Sequence, residues 1–164
     1  MSDKRVFIGV DPGMKGALCA LDPRDQQITF ISLGLPVPQL FQEISELVER
    51  LKQAGLVPTA MIENVHAIQG TSAKSNFQFG YNVGSINTIL MALKIPLDTI
   101  TPKKWQAYLG VNVKGNLIKK DVAQRVARLY PAASLTGPRG GLLDGNSDAL
   151  AIAHYHYKTS VMNQ

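Results

Sequence analysis

The chain has 164 residues, of which 45% are hydrophobic, and its formal net charge is +5. This size and composition predict one globular domain over residues 1–158, followed by a short tail at residues 159–164. The sequence has no run near the roughly 18 apolar residues that a membrane helix needs, and its first residues lack the apolar stretch of a secretory signal. We therefore expect a cytoplasmic protein with no membrane partner. The single cysteine, Cys19, excludes an intrachain disulfide and is expected to be a small buried apolar residue.

The positive charge is concentrated in one part of the chain. Residues 94–139 contain nine Lys or Arg and two acids, a local balance of +7, whereas the other segments are nearly neutral or slightly acidic. Such a segment indicates either contact with a polyanion such as nucleic acid or an ordinary solvated surface.

The first part of the chain predicts three strands, a helix and a further strand. Apolar runs at residues 5–10, 16–21 and 27–33 are joined by short turns, which is typical of an antiparallel meander. Apolar residues at helical spacing then predict an amphipathic helix over residues 40–54. The short apolar run at residues 59–62 predicts a buried strand that ends on Glu63.

The second part of the chain is mostly helical. After a polar loop at residues 64–74, a largely apolar helical pattern covers residues 75–93. Residues 96–100 predict a fifth strand, residues 102–109 a short helix opened by proline, and residues 116–130 a longer helix. The residues from Asp144 onward predict a terminal helix. This order predicts the α/β class, with a mixed five-stranded sheet flanked by helices on both faces.

Four acidic residues fall where this fold would bring them together. Asp11 ends the first strand and Glu63 the fourth, and a right-handed crossover would make these strands parallel neighbours. Asp144 and Asp148 are four residues apart and would share one face of the last helix. Crowded carboxylates repel one another unless cations neutralise them. Oxygen ligands suit Mg²⁺ or Mn²⁺, and two such ions roughly 3.5 to 4 Å apart can promote phosphodiester hydrolysis.

Each acid also has a simpler interpretation. Asp11 would be a turn aspartate before Pro-Gly, Glu63 a surface-loop acid, and Asp144 the N-cap of the last helix. For Asp148 the simpler interpretation is weaker, because a charge inside an apolar run is costly to bury without a partner.

The segments that contain these acids, IGVDPGMKGA, AMIENV and DGNSDALAIA, resemble the RuvC Holliday junction resolvases of the RNase H-like superfamily, especially the phage-type branch. The resemblance continues through FQFGYNVGSI, TPKKW and KKDVAQRVARLYP and covers nearly the whole chain in order. It implies a single RNase H-like nuclease domain with three antiparallel and two parallel strands.

The resemblance implies that the four acids are catalytic and hold two Mg²⁺ or Mn²⁺ ions. Asp11 and Asp148 match the family most firmly. In bacterial resolvases the last two acids are usually three residues apart, which would place the earlier one on Gly145. The phage-type pattern favours Asp144, although Leu143 replaces the histidine of that pattern.

The resemblance also implies DNA contacts. A lysine early in the helix at residues 116–130 approaches the scissile region in this family, and Lys119 or Lys120 matches it; we take Lys119 as the catalytic candidate. The predicted DNA-binding residues are His66, Lys103, Lys104, Lys114, Lys119 and Lys120. His66 occupies the position of an aromatic wedge that stacks on junction bases, with Phe77 and Phe79 as alternatives. Trp105 is expected to pack inward.

The implied function is a metal-dependent, structure-selective endonuclease that resolves four-way (Holliday) junctions by paired phosphodiester hydrolysis, a crossover junction endodeoxyribonuclease. A two-fold symmetric junction requires two related sites, so we expect a homodimer, with the helix at residues 75–93 as the candidate interface. The protein would act in the cytoplasm of a bacterial cell, or of the host if a phage encodes it. Alternatives are an RNase H-like nuclease acting on other branched DNA or RNA, and a non-catalytic junction-binding protein. An actin-like ATPase that uses VDPG as a phosphate loop would need two such lobes, and the chain holds one.

Overall fold

Every strand and helix predicted from the sequence is present in the computed structural model, which describes residues 4–64, 66 and 70–162. The boundaries differ from the predicted ones by a few residues. The elements, in chain order, are β1 (Arg5–Asp11), β2 (Ala17–Asp22), β3 (Gln27–Ser32), α1 (Val37–Gln53), β4 (Val57–Glu63), α2 (Ala73–Ala92), β5 (Leu97–Ile100), α3 (Pro102–Leu109), α4 (Leu117–Leu129) and α5 (Asp144–Met162).

The strands form one mixed sheet with the order β3-β2-β1-β4-β5. The strands β1, β2 and β3 pair antiparallel, whereas β4 lies parallel to both β1 and β5. This confirms the predicted arrangement of three antiparallel and two parallel strands. In the β1–β4 register Val10 lies opposite Ile62, so the next residues, Asp11 and Glu63, emerge at the same edge of the sheet.

Helices cover both faces of the sheet, as predicted. Successive residues of a strand point to opposite faces, and in β1 Val6, Ile8 and Val10 pack in a core with residues of α1 and α2. The opposite face packs against α3, α4 and α5; there the rings of Phe7 and His156 make an edge contact with centroids 5.3 Å apart. The sheet therefore has a separate core on each side.

The helix α5 lies directly on β1 because Gly9 has no side chain. A Cβ atom at Gly9 would lie 2.1 Å from the carbonyl oxygen of Ala149 and 2.4 Å from the backbone nitrogen of Ala153. Both distances are far inside van der Waals contact. This close approach places the N-terminal half of α5 against the end of β1.

The C-terminal helix continues past the predicted domain boundary. The tail predicted from residue 159 begins inside α5, which continues to Met162, and Thr159 donates its hydroxyl hydrogen to the carbonyl of Tyr155 at 2.8 Å. The helix continues because its backbone and side-chain hydrogen bonds run past the predicted boundary. Residues 163–164 of that tail, residues 1–3 of the predicted domain, and residues 65 and 67–69 of the predicted loop lie outside the described residues.

Two smaller observations concern the core and the helices. Cys19 is buried as a free thiol, as its lone occurrence predicted. None of the helices within residues 4–64 and 70–162 has the length and apolar content to cross a bilayer.

Candidate active site

Asp11 and Glu63 lie on the face of the sheet that α5 covers. Phe7 and Gly9 of β1 contact α5, and the two-residue period of a strand puts Asp11 on the same side. In β4, Met61 belongs to the core on that side, and Glu63 follows it by two residues. Both carboxylates are partly buried. The neighbouring parallel strands therefore present two acids toward one end of α5.

The first turn of α5 supplies the other two acids. Asp144 is the first residue of α5, and Asp148 follows one turn later. A Cβ atom at Gly145 would lie 2.1 Å from the carbonyl oxygen of Lys15, in the turn that follows Asp11. No side chain fits at position 145, so the glycine there allows the first turn of α5 to lie against the turn that follows Asp11.

The electrostatics of Asp148 show that all four acids share one environment. The pKa of Asp148 is raised to about 8, first by burial and then by the negative charges of Asp11, Glu63 and, more weakly, Asp144, while Lys119 opposes the shift. A carboxyl group with such a pKa is one whose charge is poorly solvated and faces like charges. Strongly perturbed carboxylates in one cluster are typical of functional sites.

The other two sheet acids are perturbed in the same direction. The pKa of Glu63 is raised to about 7, mainly by burial and in part by the charge of Asp11; the indole N–H of Trp105, which donates to Glu63 Oε1 at 2.8 Å, opposes the shift. Burial also raises the pKa of Asp11, against a hydrogen bond of 3.0 Å from the backbone N–H of Gly13 to Oδ1. Asp11 thus closes the turn, as the simpler interpretation proposed, and also contributes to the buried acid cluster.

Lys119 reaches the acids from α4. Its ammonium group donates a hydrogen bond to Asp144 Oδ2. That hydrogen bond is the largest cause of the lowered pKa of Asp144, and it likewise raises the pKa of Lys119, with smaller contributions from the charges of Asp144, Asp148 and Asp11. Lys119 is the lysine that the structure brings to the acids, whereas Lys120 is exposed on the adjacent position of the helix.

The remaining predicted DNA-binding residues are exposed to solvent. Lys103, Lys114 and His66 are all exposed. Lys104 lines a hollow of about 380 Å³ together with Tyr155. Tyr155 follows Asp148 by seven residues, or about two helical turns, and Ile100, which lines the same hollow, lies opposite Glu63 in the sheet.

The two phenylalanines near the start of α2 differ in their exposure to solvent. Phe79 is buried, whereas the side chain of Phe77 is 76% exposed. Of the candidates for the stacking ring, Phe77 and His66 are therefore exposed to solvent.

Sequence reasoning predicted the burial of Trp105 but missed its partner. The side chain is 1% exposed, as expected for a residue packed inward. Its hydrogen bond to Glu63 was not anticipated. The available signal was that a buried indole usually directs its N–H to an acceptor.

Two further polar groups in the region are structural. Arg125 pairs with Asp121 at 2.8 Å and donates to the carbonyl of Leu109 at 3.3 Å, which joins α4 to the end of α3. His154 is buried and makes a 2.7 Å hydrogen bond with the hydroxyl of Tyr130, and burial lowers its pKa to about 4.

The donor set at the acid cluster suits a hard divalent cation. The converging side chains are carboxylates, the oxygen ligands that Mg²⁺ and Mn²⁺ prefer. Within the described part of the chain, no three His, Cys, Asp or Glu side chains already form a ready-made metal cluster. The raised pKa values arise from burial and mutual repulsion, and a cation relieves both. The chemistry of these residues therefore fits such an ion.

The architecture is a RuvC-type, RNase H-like fold: a mixed five-stranded sheet with flanking helices. The structure of Thermus thermophilus RuvC in complex with a Holliday junction substrate matches with a TM-score of 0.65 and 17% identity, over 96% of each chain. A second Thermus thermophilus RuvC structure matches with a TM-score of 0.57 and 19% identity, again over 96% of each chain. At these identities the likeness shows the fold. No protein-family model and no curated protein matches the sequence.

Proposed function

We propose that this protein is a metal-dependent, structure-selective DNA endonuclease that resolves four-way junctions by paired phosphodiester hydrolysis. The observation that carries the proposal is the burial of Asp148 among the charges of Asp11, Glu63 and Asp144 at one edge of the sheet. The fold supports it, because a structure with the same fold contains a Holliday junction substrate. A basic segment within the same chain supports a polyanionic substrate.

The four acids would hold the cations from two structural elements, the edge of the sheet and the first turns of α5. Asp11 and Glu63 extend from the ends of paired strands, and Asp144 and Asp148 from one face of α5. Bound Mg²⁺ or Mn²⁺, two ions per site in our proposal, would supply an activated water and stabilise the leaving oxygen of the phosphodiester.

Lys119 would have a separate role at the same edge. Its ammonium group lies at Asp144 and is otherwise exposed to solvent. A lysine in this position can contact a phosphate oxygen of the substrate next to the acids. We propose Lys119 as the catalytic lysine.

The surrounding basic surface would bind the DNA backbone. Lys103, Lys114 and Lys120 are exposed on and between α3 and α4. Contacts from such lysines to phosphates position the substrate without reading its sequence. The exposed rings of His66 and Phe77 would stack on bases that are unpaired at the junction.

We also propose a homodimer, with α2 at the interface. Large apolar side chains on one face of α2 are open to solvent: Phe77 is 76%, Tyr81 52% and Met91 74% exposed. Gly84 lies on the same face, and a Cβ atom there would meet nothing within 4 Å. A surface helix with such a stripe is typical of packing against a partner. Light scattering after size exclusion should give the mass of a dimer; a monomer at micromolar concentration would remove this part of the proposal.

The spacing of the acids supports the phage-type branch of the resolvases. Asp144 precedes Asp148 by four residues, and position 145 is closed by contact with the Lys15 carbonyl. The three-residue spacing usual in the bacterial enzymes has no room here.

The decisive experiment compares a synthetic four-way junction, a fork and a linear duplex, with and without Mg²⁺. We expect paired nicks in the junction only when Mg²⁺ is present. Asp11→Asn should abolish nicking and keep junction binding, because loss of a negative charge does not weaken contact with phosphate. Asp25→Asn is the matched control, since Asp25 is an exposed turn acid in the β2–β3 connection.

Other outcomes would identify the alternatives. Preferential cleavage of the fork, or of an RNA-containing duplex, would indicate a different nuclease of the same fold. Tight junction binding without Mg²⁺-dependent cleavage would indicate a non-catalytic junction-binding protein.

A further inference from the structure

Trp105 is the single tryptophan of the chain, and it touches one of the four acids. The indole Nε1–H donates to Glu63 Oε1 at 2.8 Å, across 42 residues of sequence. The ring is 1% exposed and packs in the core between the sheet and the helices α4 and α5. A ring so enclosed has little freedom to turn, so the direction of its N–H is set by the fold.

We propose that Trp105 is a positioning residue for the metal site: its N–H holds one oxygen of Glu63 and leaves the other directed to the cation. This inference rests on the function proposed above. A glutamate has several rotatable bonds, and a ligand that is already oriented loses less freedom when it binds an ion. Partners that orient a metal ligand in this way contribute to metal affinity although they do not touch the metal.

The same device recurs at the neighbouring acids. The backbone N–H of Gly13 donates to Asp11 Oδ1 at 3.0 Å, and Lys119 donates to Asp144 Oδ2. Each of these acids thus has a donor to one of its oxygens. For Glu63 that donor comes from α3, so the site depends on a helix that carries none of the acids.

The alternative is that Glu63 only satisfies a buried indole. A backbone carbonyl or a neutral side chain would serve that purpose equally well. The two explanations differ in what happens to cation binding when the N–H is removed and the shape of the ring is kept.

The lone indole supplies the first test. In the wild-type protein, addition of Mg²⁺ should change the Trp105 emission excited at a wavelength that spares tyrosine, and Mn²⁺ should quench it. Both effects should persist in Asp25→Asn and disappear in Glu63→Gln. The inference would be overturned if Mn²⁺ left the Trp105 emission unchanged while electron paramagnetic resonance showed Mn²⁺ bound to the same protein. That result would place the ion away from Glu63.

The second test removes the donor. Trp105 is replaced by β-benzothienylalanine, in which a sulfur atom stands in place of the N–H, and in parallel by Trp105→Phe. The affinity for Mn²⁺ is measured from the resonance of the free ion. We expect it to fall by roughly 10-fold to 100-fold. If Trp105→Phe does not fold, the Mn²⁺ affinity of the benzothienyl protein, which keeps the shape of the ring, still tests the positioning role.

Tyr130→Phe is the matched control, because it also deletes one buried hydrogen bond, the 2.7 Å bond to His154, within the same core. It should lower the melting temperature and leave Mn²⁺ affinity unchanged. Equal affinity in the wild type and the benzothienyl protein, or an equal loss in Tyr130→Phe, would overturn the positioning role. A wild-type protein that binds no cation and cuts no junction would instead refute the proposed function.

Discussion

Replacing Gly9 by alanine tests whether the contact between β1 and α5 assembles the acid cluster. The new methyl group would lie 2.1 Å from the Ala149 carbonyl oxygen and 2.4 Å from the Ala153 nitrogen. Both atoms belong to the backbone of α5, so no side-chain rotation relieves the clash. The helix must therefore move away from the strand by roughly 1 Å or more to restore van der Waals contact.

The cost follows from overpacking in a rigid core. Such insertions destabilise by about 1 to 3 kcal/mol, occasionally more, and a clash with two backbone atoms belongs at the upper end of that range. For a chain of this size, about 3 kcal/mol corresponds to a fall in melting temperature of roughly 6 to 12 °C.

The same displacement should impair catalysis more than stability. Asp11 lies on β1 and Asp148 on α5, so a shift of the helix changes the separation of the two carboxylates. A misplacement of about 1 Å in a catalytic site can cost roughly 10²-fold in rate. We expect Gly9→Ala to be folded at 25 °C and to nick a four-way junction at about 1% of the wild-type rate.

The assay pairs calorimetry with junction nicking at saturating Mg²⁺, and Gly34→Ala is the control. A Cβ atom at Gly34 lies 3.6 Å from Ser32 Oγ, an ordinary contact. Alanine there should leave the nicking rate unchanged and raise stability slightly, by about 0.4 to 1 kcal/mol. A Gly9→Ala protein with wild-type melting temperature and rate would refute the reasoning, because α5 would then not depend on this contact.

Three further predictions concern the charged groups of the site. The metal-free protein should lose stability as the pH rises from about 4 to about 8, because the folded pKa of Asp148, about 8, lies above its unfolded value of about 3.9. Its stabilising contribution is therefore complete below pH 3.9 and disappears as the pH passes 8, at up to about 1.4 kcal/mol per pH unit. Denaturant titrations in EDTA should show a flatter profile for Asp148→Asn, and stability that rises over this window would contradict the shift. Asp144→Asn should lower the nicking rate at least roughly 10²-fold with little change in melting temperature, since an exposed ion pair such as that with Lys119 contributes only about 0 to 1 kcal/mol; an active variant would leave a site of three acids. Lys119→Ala combined with Lys120→Ala should reduce the dependence of junction binding on salt concentration, because fewer phosphates are neutralised; an unchanged slope would mean that neither lysine contacts DNA.

The order of strands and helices could be predicted from the sequence because each element has a local signature. Period-two runs and helical spacing of apolar residues identified the elements from β1 to α5, and short turns implied the antiparallel meander. The handedness of crossovers then placed β4 beside β1, and the structure has that pairing. The same reasoning put Asp11 and Glu63 at one edge, because parallel neighbours end together.

Several choices that the sequence left open depended on contacts between distant residues. Lys119 and Lys120 are equivalent by pattern, and only the packing of α4 beside α5 directs Lys119 to Asp144, which lies 25 residues further along the chain. Phe77 and Phe79 are both plausible core residues, yet only Phe79 is buried.

The sequence by itself determined the type and order of the elements and predicted the four acids as a site, because strand ends and helix faces follow from local periodicity. Only the tertiary structure decided how these acids are surrounded. The contact of Gly145 with the Lys15 carbonyl, and the bond from Trp105 to Glu63, each join segments that are far apart in the chain. Burial and mutual repulsion, which raise the pKa of Asp148 to about 8, exist only when carboxylates from separate segments come near one another in the folded chain. Local patterns carry no information about such distances, because a distance between remote residues is set by the packing of the whole core.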